Sequence, residues 1–158
     1  MYGLRVAIVA VLLTLTLALP PGEAAPGKAS KTDKCPVCGM FVAKYPDFMA
    51  QVVFADGTHL FFDGAKDMFK YYFSVKKYTA TRNMSDIANI YVTDYYRLAL
   101  IDGKRAWYVM GSDVFGPMGN ELMPFAKKVD AMEFMKDHAG KTLLSFDEVT
   151  LDIIKRLD

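Results

Sequence analysis

The two cysteines of this sequence stand together, in Cys35-Pro36-Val37-Cys38-Gly39-Met40. At this spacing the intervening residues form a tight turn, so both thiolates face one ion. Gly39 lets the backbone fold back, and Met40 adds a thioether to the same knuckle. Thiolate plus thioether is a soft donor set, which selects Cu(I) over hard cations. A second methionine of interest lies in Val114-Phe115-Gly116-Pro117-Met118-Gly119. Core methionines fall on a periodic apolar face, whereas Met118 sits in a loop between a proline and a glycine. His59 alternates with apolar residues in a strand-like run, which suits a packing residue and also a third metal donor. Met68, Met132 and Met135 recur at helical spacing and read as core. His138 reads as a helix C-terminal residue, where a cation suits the helix dipole.

The same Cys-x-x-Cys-Gly-Met motif has other uses. It could form an ordinary disulfide, act as an exported dithiol/disulfide redox centre, or hold zinc or another heavy metal. A thioredoxin-type site wants its cysteines at a helix start after a buried strand, and Lys28 to Lys34 is not such a strand. A haem attachment site needs histidine after the second cysteine, and Gly39 stands there. No Ser-His-Asp, paired-carboxylate or phosphate-loop signature stands out, so the reading is of a metal-binding protein rather than an enzyme.

The elements that must position these residues are short strands and helices. Phe48 to Ala55 has strand composition, Asp56-Gly57 marks a hairpin turn, and Thr58 to Phe62 returns. Asp63 is placed to cap a helix running to Ser74. Ile90 to Thr93 is a short strand. Tyr95 to Ile101 and Lys104 to Met110 flank a second Asp-Gly pair, Asp102-Gly103, and are expected to form a second hairpin. A helix is expected near Asn120 and another from Asp130 to His138, stopped by Gly140. Ser145 and Glu148 form a capping box for a last helix to Leu157. The match of FADGTHLFF (54–62) to LIDGKRAWY (100–108) suggests an internal repeat, with one unit at 35–89 and the other at 90–158.

Residues 1–25 read as an address rather than as part of the fold. Arg5 supplies a positive start, Val6 to Leu19 is apolar apart from threonine, and Pro20-Pro21-Gly22 breaks the run before Ala24-Ala25. This is the layout of a secretory signal peptide, or of an anchor if left uncleaved. No cysteine follows the run at once, so no lipobox is present. Residues 26–34 read as a polar leader. The expected compartment is periplasmic, where thiols are normally oxidised or held by a metal. The 158 residues carry a net charge of +1 from 19 basic and 18 acidic side chains, which leaves no electrostatic footprint for nucleic acid. No small-molecule substrate is indicated.

Taken in order, CPVCGM (35–40), MAQVVFADG (49–57), FFDG (61–64), VTDY (92–95), WYVMGSDVFGPMGNELMPF (107–125) and LLSFDEV (143–149) resemble the NosL family of exported copper-binding accessory proteins of nitrous-oxide reductase maturation. The resemblance implies an α+β fold of two similar ββαβ-type units, an architecture related to that of organomercurial lyase. It implies binding of one Cu(I) and its delivery to a membrane-associated maturation complex or an apo copper enzyme. It places the metal ligands on Cys35 and/or Cys38 and on Met118, with Met40 and His59 behind them. Members of the family are commonly lipoproteins, and the lack of a lipobox departs from that pattern.

Overall fold

The computed structural model describes residues 25–158; the leader-like segment assigned to residues 1–25 therefore falls, apart from Ala25, outside the described residues. Among the described residues no helix is long and apolar enough to cross a membrane.

The chain is α+β, and it traces one path twice. First come strands β1 (Ala50–Phe54) and β2 (His59–Phe62), helix α1 (Ala65–Phe73), the single turn α2 (Val75–Tyr78), and strands β3 (Ile87–Asp94) and β4 (Ala99–Asp102). Then come β5 (Trp107–Met110), β6 (Leu122–Phe125), helix α3 (Lys128–Asp137) and β7 (Thr142–Ser145), closed by the short helix α4 (Leu151–Lys155). The sheets are ordered β2-β1-β3-β4 and β6-β5-β7, and every pairing is antiparallel. In each unit the first strand is central, flanked by its hairpin partner and by the strand after the helix.

Strand alternation divides the core. Successive side chains of a strand point to opposite faces. On β5, Tyr108 joins the main core around Phe69, with ring centroids 5.1 Å apart, while Val109 faces α3 with Met123, Phe125, Ala131 and Phe134. On β6, Leu122 turns to the main core and Met123 to the smaller one. The main core reaches from Cys35 and Val42 through α1 to Ile154 of α4, so the cysteine knuckle is seated directly on it. The leader is docked as well. Both polar atoms of the buried Gln51 amide pair with the Gly27 backbone, at 2.7 and 3.0 Å.

Several expectations are corrected. Asp56-Gly57 does turn a hairpin, with Gly57 at φ +82°. Asp102-Gly103 does not: β4 pairs back onto β3, and β5 crosses to the other sheet. Gly103 opens a 3₁₀ turn, and glycine is needed there because a Cβ would lie 2.7 Å from Ile90 Cγ2. FADGTHLFF and LIDGKRAWY are therefore not equivalent elements; the counterpart of the β1–β2 hairpin is β5–β6. A unit boundary at 89/90 falls inside β3, which belongs wholly with the first sheet.

The helix expected near Asn120 is strand β6. Its Pro124 cannot donate to a ladder, which an edge strand tolerates, and β6 is an edge strand. The Ser145–Glu148 box caps a 3₁₀ turn at Phe146–Glu148, while α4 is capped by Thr150. After α3 the left-handed residue is Ala139 rather than Gly140. Met132 is 56% exposed, because the inward stripe of α3 is Ala131, Phe134 and Met135.

Candidate metal centre

The knuckle is closed by its own backbone. Cys35 N–H donates to Met40 O at 2.9 Å and Gly39 N–H to Cys35 O at 2.8 Å, with Gly39 at φ +79°, a conformation that glycine adopts without strain. Lys34 and Phe41 bridge beneath it as antiparallel partners. Inside this turn the amides of Cys38 and Val37 hydrogen-bond to the Cys35 sulfur, and that of Met40 to the Cys38 sulfur. These bonds favour thiolate.

Opposite the knuckle, the segment entering α1 supplies two carboxylates. The expected cap, Asp63, does not cap: Gly64 is the N-cap residue and makes no side-chain cap bond. The Asp63 carboxylate turns instead to Cys38, with Sγ–Oδ1 at 3.2 Å, and Asp67, one helical turn on, faces Cys35 with Sγ–Oδ2 at 3.4 Å. Ligand atoms of Cys35, Cys38, Asp63 and Asp67 all lie within 4.8 Å of one another. Cys35, Asp63 and Asp67 are buried and Cys38 is half-buried. Both cysteines are free thiols, not the disulfide that their spacing also allows.

Burial pushes the Cys35 thiol far above the usual range; the Cys38 amide opposes this and Asp63 adds to it. Burial likewise pushes the Cys38 thiol up to about 12, against the Met40 amide and with the help of Asp67. Without metal, each thiol keeps its proton and donates it to a carboxylate. A cation entering the corner must displace both protons.

The methionine turn approaches from the second unit. Gly116 and Gly119 exchange backbone hydrogen bonds at 2.8 and 3.2 Å, leaving Pro117 and Met118 at the tip, and Met118 is 46% exposed. Two buried side chains tie this turn to α1. Lys66 Nζ donates to Met118 O at 2.9 Å and to Leu157 O at 3.4 Å. The Glu121 carboxylate accepts the Lys66 N–H at 2.5 Å and the Leu122 N–H at 2.9 Å, capping α1 from across the molecule. Gly64 and Gly116 make room for Glu121, since a Cβ on them would lie 2.1 and 2.9 Å from its side chain. Burial raises the Glu121 carboxyl to about 7, although the Leu122 and Lys66 amides and the Lys66 charge pull it down.

The structure thus brings Cys35 and Cys38 together and ties the Met118 turn to the residue beside Asp67. Met40 contributes its backbone to the knuckle. His59 stands outside the group of gathered donors: its Nδ1 lies 2.9 Å from Gln51 Oε1 and its ring stacks on Phe61. Sequence reading missed Asp63, Asp67, Lys66 and Glu121. The available signal was Asp63-Gly64-Ala65-Lys66-Asp67, two acids four residues apart across a helix start and flanked by apolar residues. An acid at that position reads first as a cap.

Fold and site define a small α+β protein carrying the donor set of a metal-binding centre. The chain belongs to the NosL family, whose sequence model matches residues 26–154. It is 31% identical over 126 residues to a protein of Stutzerimonas stutzeri described as copper-binding lipoprotein NosL, covering 75% of this chain and 62% of that one. This chain therefore spans about 62% of the length of that relative. Its fold is similar to the crystal structure of the copper chaperone NosL from Shewanella denitrificans, with a TM-score of 0.71 at 24% identity, covering 82% of this chain and 98% of that one. A solution structure of apo-NosL from Achromobacter cycloclastes aligns with a TM-score of 0.48 at 25% identity, over 66% of this chain and 87% of that one.

Proposed function

We propose that this chain is an exported Cu(I) chaperone, not an enzyme, that delivers copper for the maturation of nitrous-oxide reductase or a related copper enzyme. The observation that carries this reading is the pair of thiols on a closed knuckle, with an exposed methionine turn tethered to the facing helix. A relative in the same family described as copper-binding supports it. The layout of residues 1–25 supports export into the periplasm.

Cu(I) is cargo here. Cys35 and Cys38 supply charge and affinity, and Met118 supplies a neutral thioether of matching softness. Met40, on the knuckle itself, is a further donor for a low-coordinate ion, whereas His59 is engaged with Gln51 and Phe61. Because Met118 is at the surface, the metal is reached from its side. An acceptor, either a membrane-associated maturation complex or the apo-enzyme itself, inserts a ligand there before the thiolates let go.

Anaerobic Cu(I) titration against a competing chelator tests this. One copper per chain is expected, with transfer to an apo copper protein on mixing. Failure of the fully reduced chain to compete for Cu(I) would overturn it.

A further inference from the structure

The polar leader, residues 26–34, is clasped to the fold at both ends. Gln51, fully buried on β1, gives both its amide atoms to the Gly27 backbone, and its Oε1 also accepts the Nδ1–H of His59 at 2.9 Å. A Cβ on Gly27 would lie 2.9 Å from the His59 ring. At the other end Asp33 O accepts the Val42 N–H at 3.0 Å, and Lys34 pairs with Phe41. His59, which the sequence offers as a metal donor, serves this clasp instead.

The clasp fixes a basic face. Lys28, Lys31, Lys34 and Lys44 are exposed, and among the described residues none of them has an ion pair. Phe41 is 38% exposed, with the Lys34 and Lys44 ammonium groups 4.9 and 5.8 Å from its ring centre. Lys31, Phe41, Ala43 and Lys44 line a mainly apolar recess of about 450 Å³. The acids of the same stretch are Asp33, whose Oδ2 already accepts the Ser30 N–H at 2.6 Å, and Asp47. An exposed aromatic ring among unpaired lysines matches a surface that is apolar beneath and anionic on top. The ring enters the interface, the lysine stems lie along it, and the ammonium groups reach the phosphates. Chain continuity brings such a surface close. Leu19, at the end of the apolar run, precedes Gly27 by eight residues, which span at most about 29 Å.

We propose that Lys28, Lys31, Lys34, Lys44 and Phe41 form a docking face for an anionic phospholipid surface. This goes beyond the copper reading and does not depend on it. Each lysine near such a surface strengthens the contact by about 5-fold. Lys34 and Phe41 directly flank the Cys35–Met40 knuckle, so docking holds the candidate metal centre at the bilayer surface, on the side from which a membrane-associated acceptor would approach.

The test uses the full chain, reduced and metal-free. It is placed on vesicles of phosphatidylcholine alone, or with about 30% phosphatidylglycerol, at about 0.15 M salt. Lysine acetylation is followed residue by residue by mass spectrometry. On the anionic vesicles Lys28, Lys31, Lys34 and Lys44 are expected to react at least about 5-fold more slowly than on the neutral ones. Lys128 and Lys136 of α3 react equally on both. About 1 M salt abolishes the difference, because screening then acts within about 3 Å. Lys31→Glu/Lys44→Glu restores fast reaction at Lys28 and Lys34, and Phe41→Ala weakens the protection by a smaller factor. Equal rates on the two kinds of vesicle overturn the proposal. So does equal slowing at Lys128 and Lys136, which is attachment with no preferred face. Equal slowing by polyglutamate without vesicles also overturns it, since the face then takes an acidic polypeptide. The wild-type rates decide even if a variant fails to fold. Cu(I) titration is scored separately, so the copper reading stands or falls on its own.

Discussion

The thiol–carboxylate corner and the methionine turn are built on opposite plans. The corner is buried on the main core, its knuckle is closed by internal hydrogen bonds, and its groups face one another. The turn stands at the surface, with Met118 46% exposed, and is held through the Met118 carbonyl by Lys66 and through Glu121 beyond it. On the proposed reading, the fixed, charged half gives affinity, and the exposed, neutral half gives access. A carrier that must both hold and release a metal needs the two properties in different places.

Breaking the buried half has the largest effect. Cys35→Ser/Cys38→Ser is expected to weaken Cu(I) binding by more than about 100-fold, beyond the 10–100-fold typical of losing an outer-shell partner. Anaerobic chelator competition measures it. Met118→Ala is expected to cost about 10–100-fold on the same scale, with the folded structure unchanged by circular dichroism, since the side chain packs little.

The tether gives a pH signature. The folded carboxyl of Glu121 titrates at about 7 rather than at the ordinary 4.5. The folded chain therefore binds a proton that the unfolded chain has lost. Stability from this group is fully present below about 4.5 and is lost as pH rises through about 7, in total on the order of 3 kcal/mol. Glu121→Gln removes the effect, so its stability relative to wild type rises between those pH values in denaturant titrations of metal-free protein. A constant difference across that range would contradict the tether's electrostatics. His59→Ala sharpens the outline of the site from outside. With Nδ1 on Gln51 and the ring on Phe61, its loss is expected to change Cu(I) affinity by no more than about 3-fold, within the 10-fold that about 1.4 kcal/mol represents.

The fold class was legible in the sequence because strand composition and the turn at Asp56-Gly57 are local signals. The wiring of the second unit was not. Asp102-Gly103 resembles a hairpin turn, but its glycine answers to Ile90, which is close only after β3 and β4 have paired. Leu122–Phe125 is a strand through its pairing with β5, and nothing local announces that. The knuckle and the glycine-flanked methionine were legible because soft donors are rare in loops. Asp63 and Asp67 were hidden by their ordinary roles at a helix start, and Glu121 by its distance of 55 residues from the amide it caps.

X-ray absorption of the Cu(I)-loaded protein tests the two-part site most directly. The account predicts a low-coordinate, sulfur-dominated shell in the wild type that loses one sulfur in Met118→Ala and keeps its thiolates. A spectrum identical in the two proteins would contradict it.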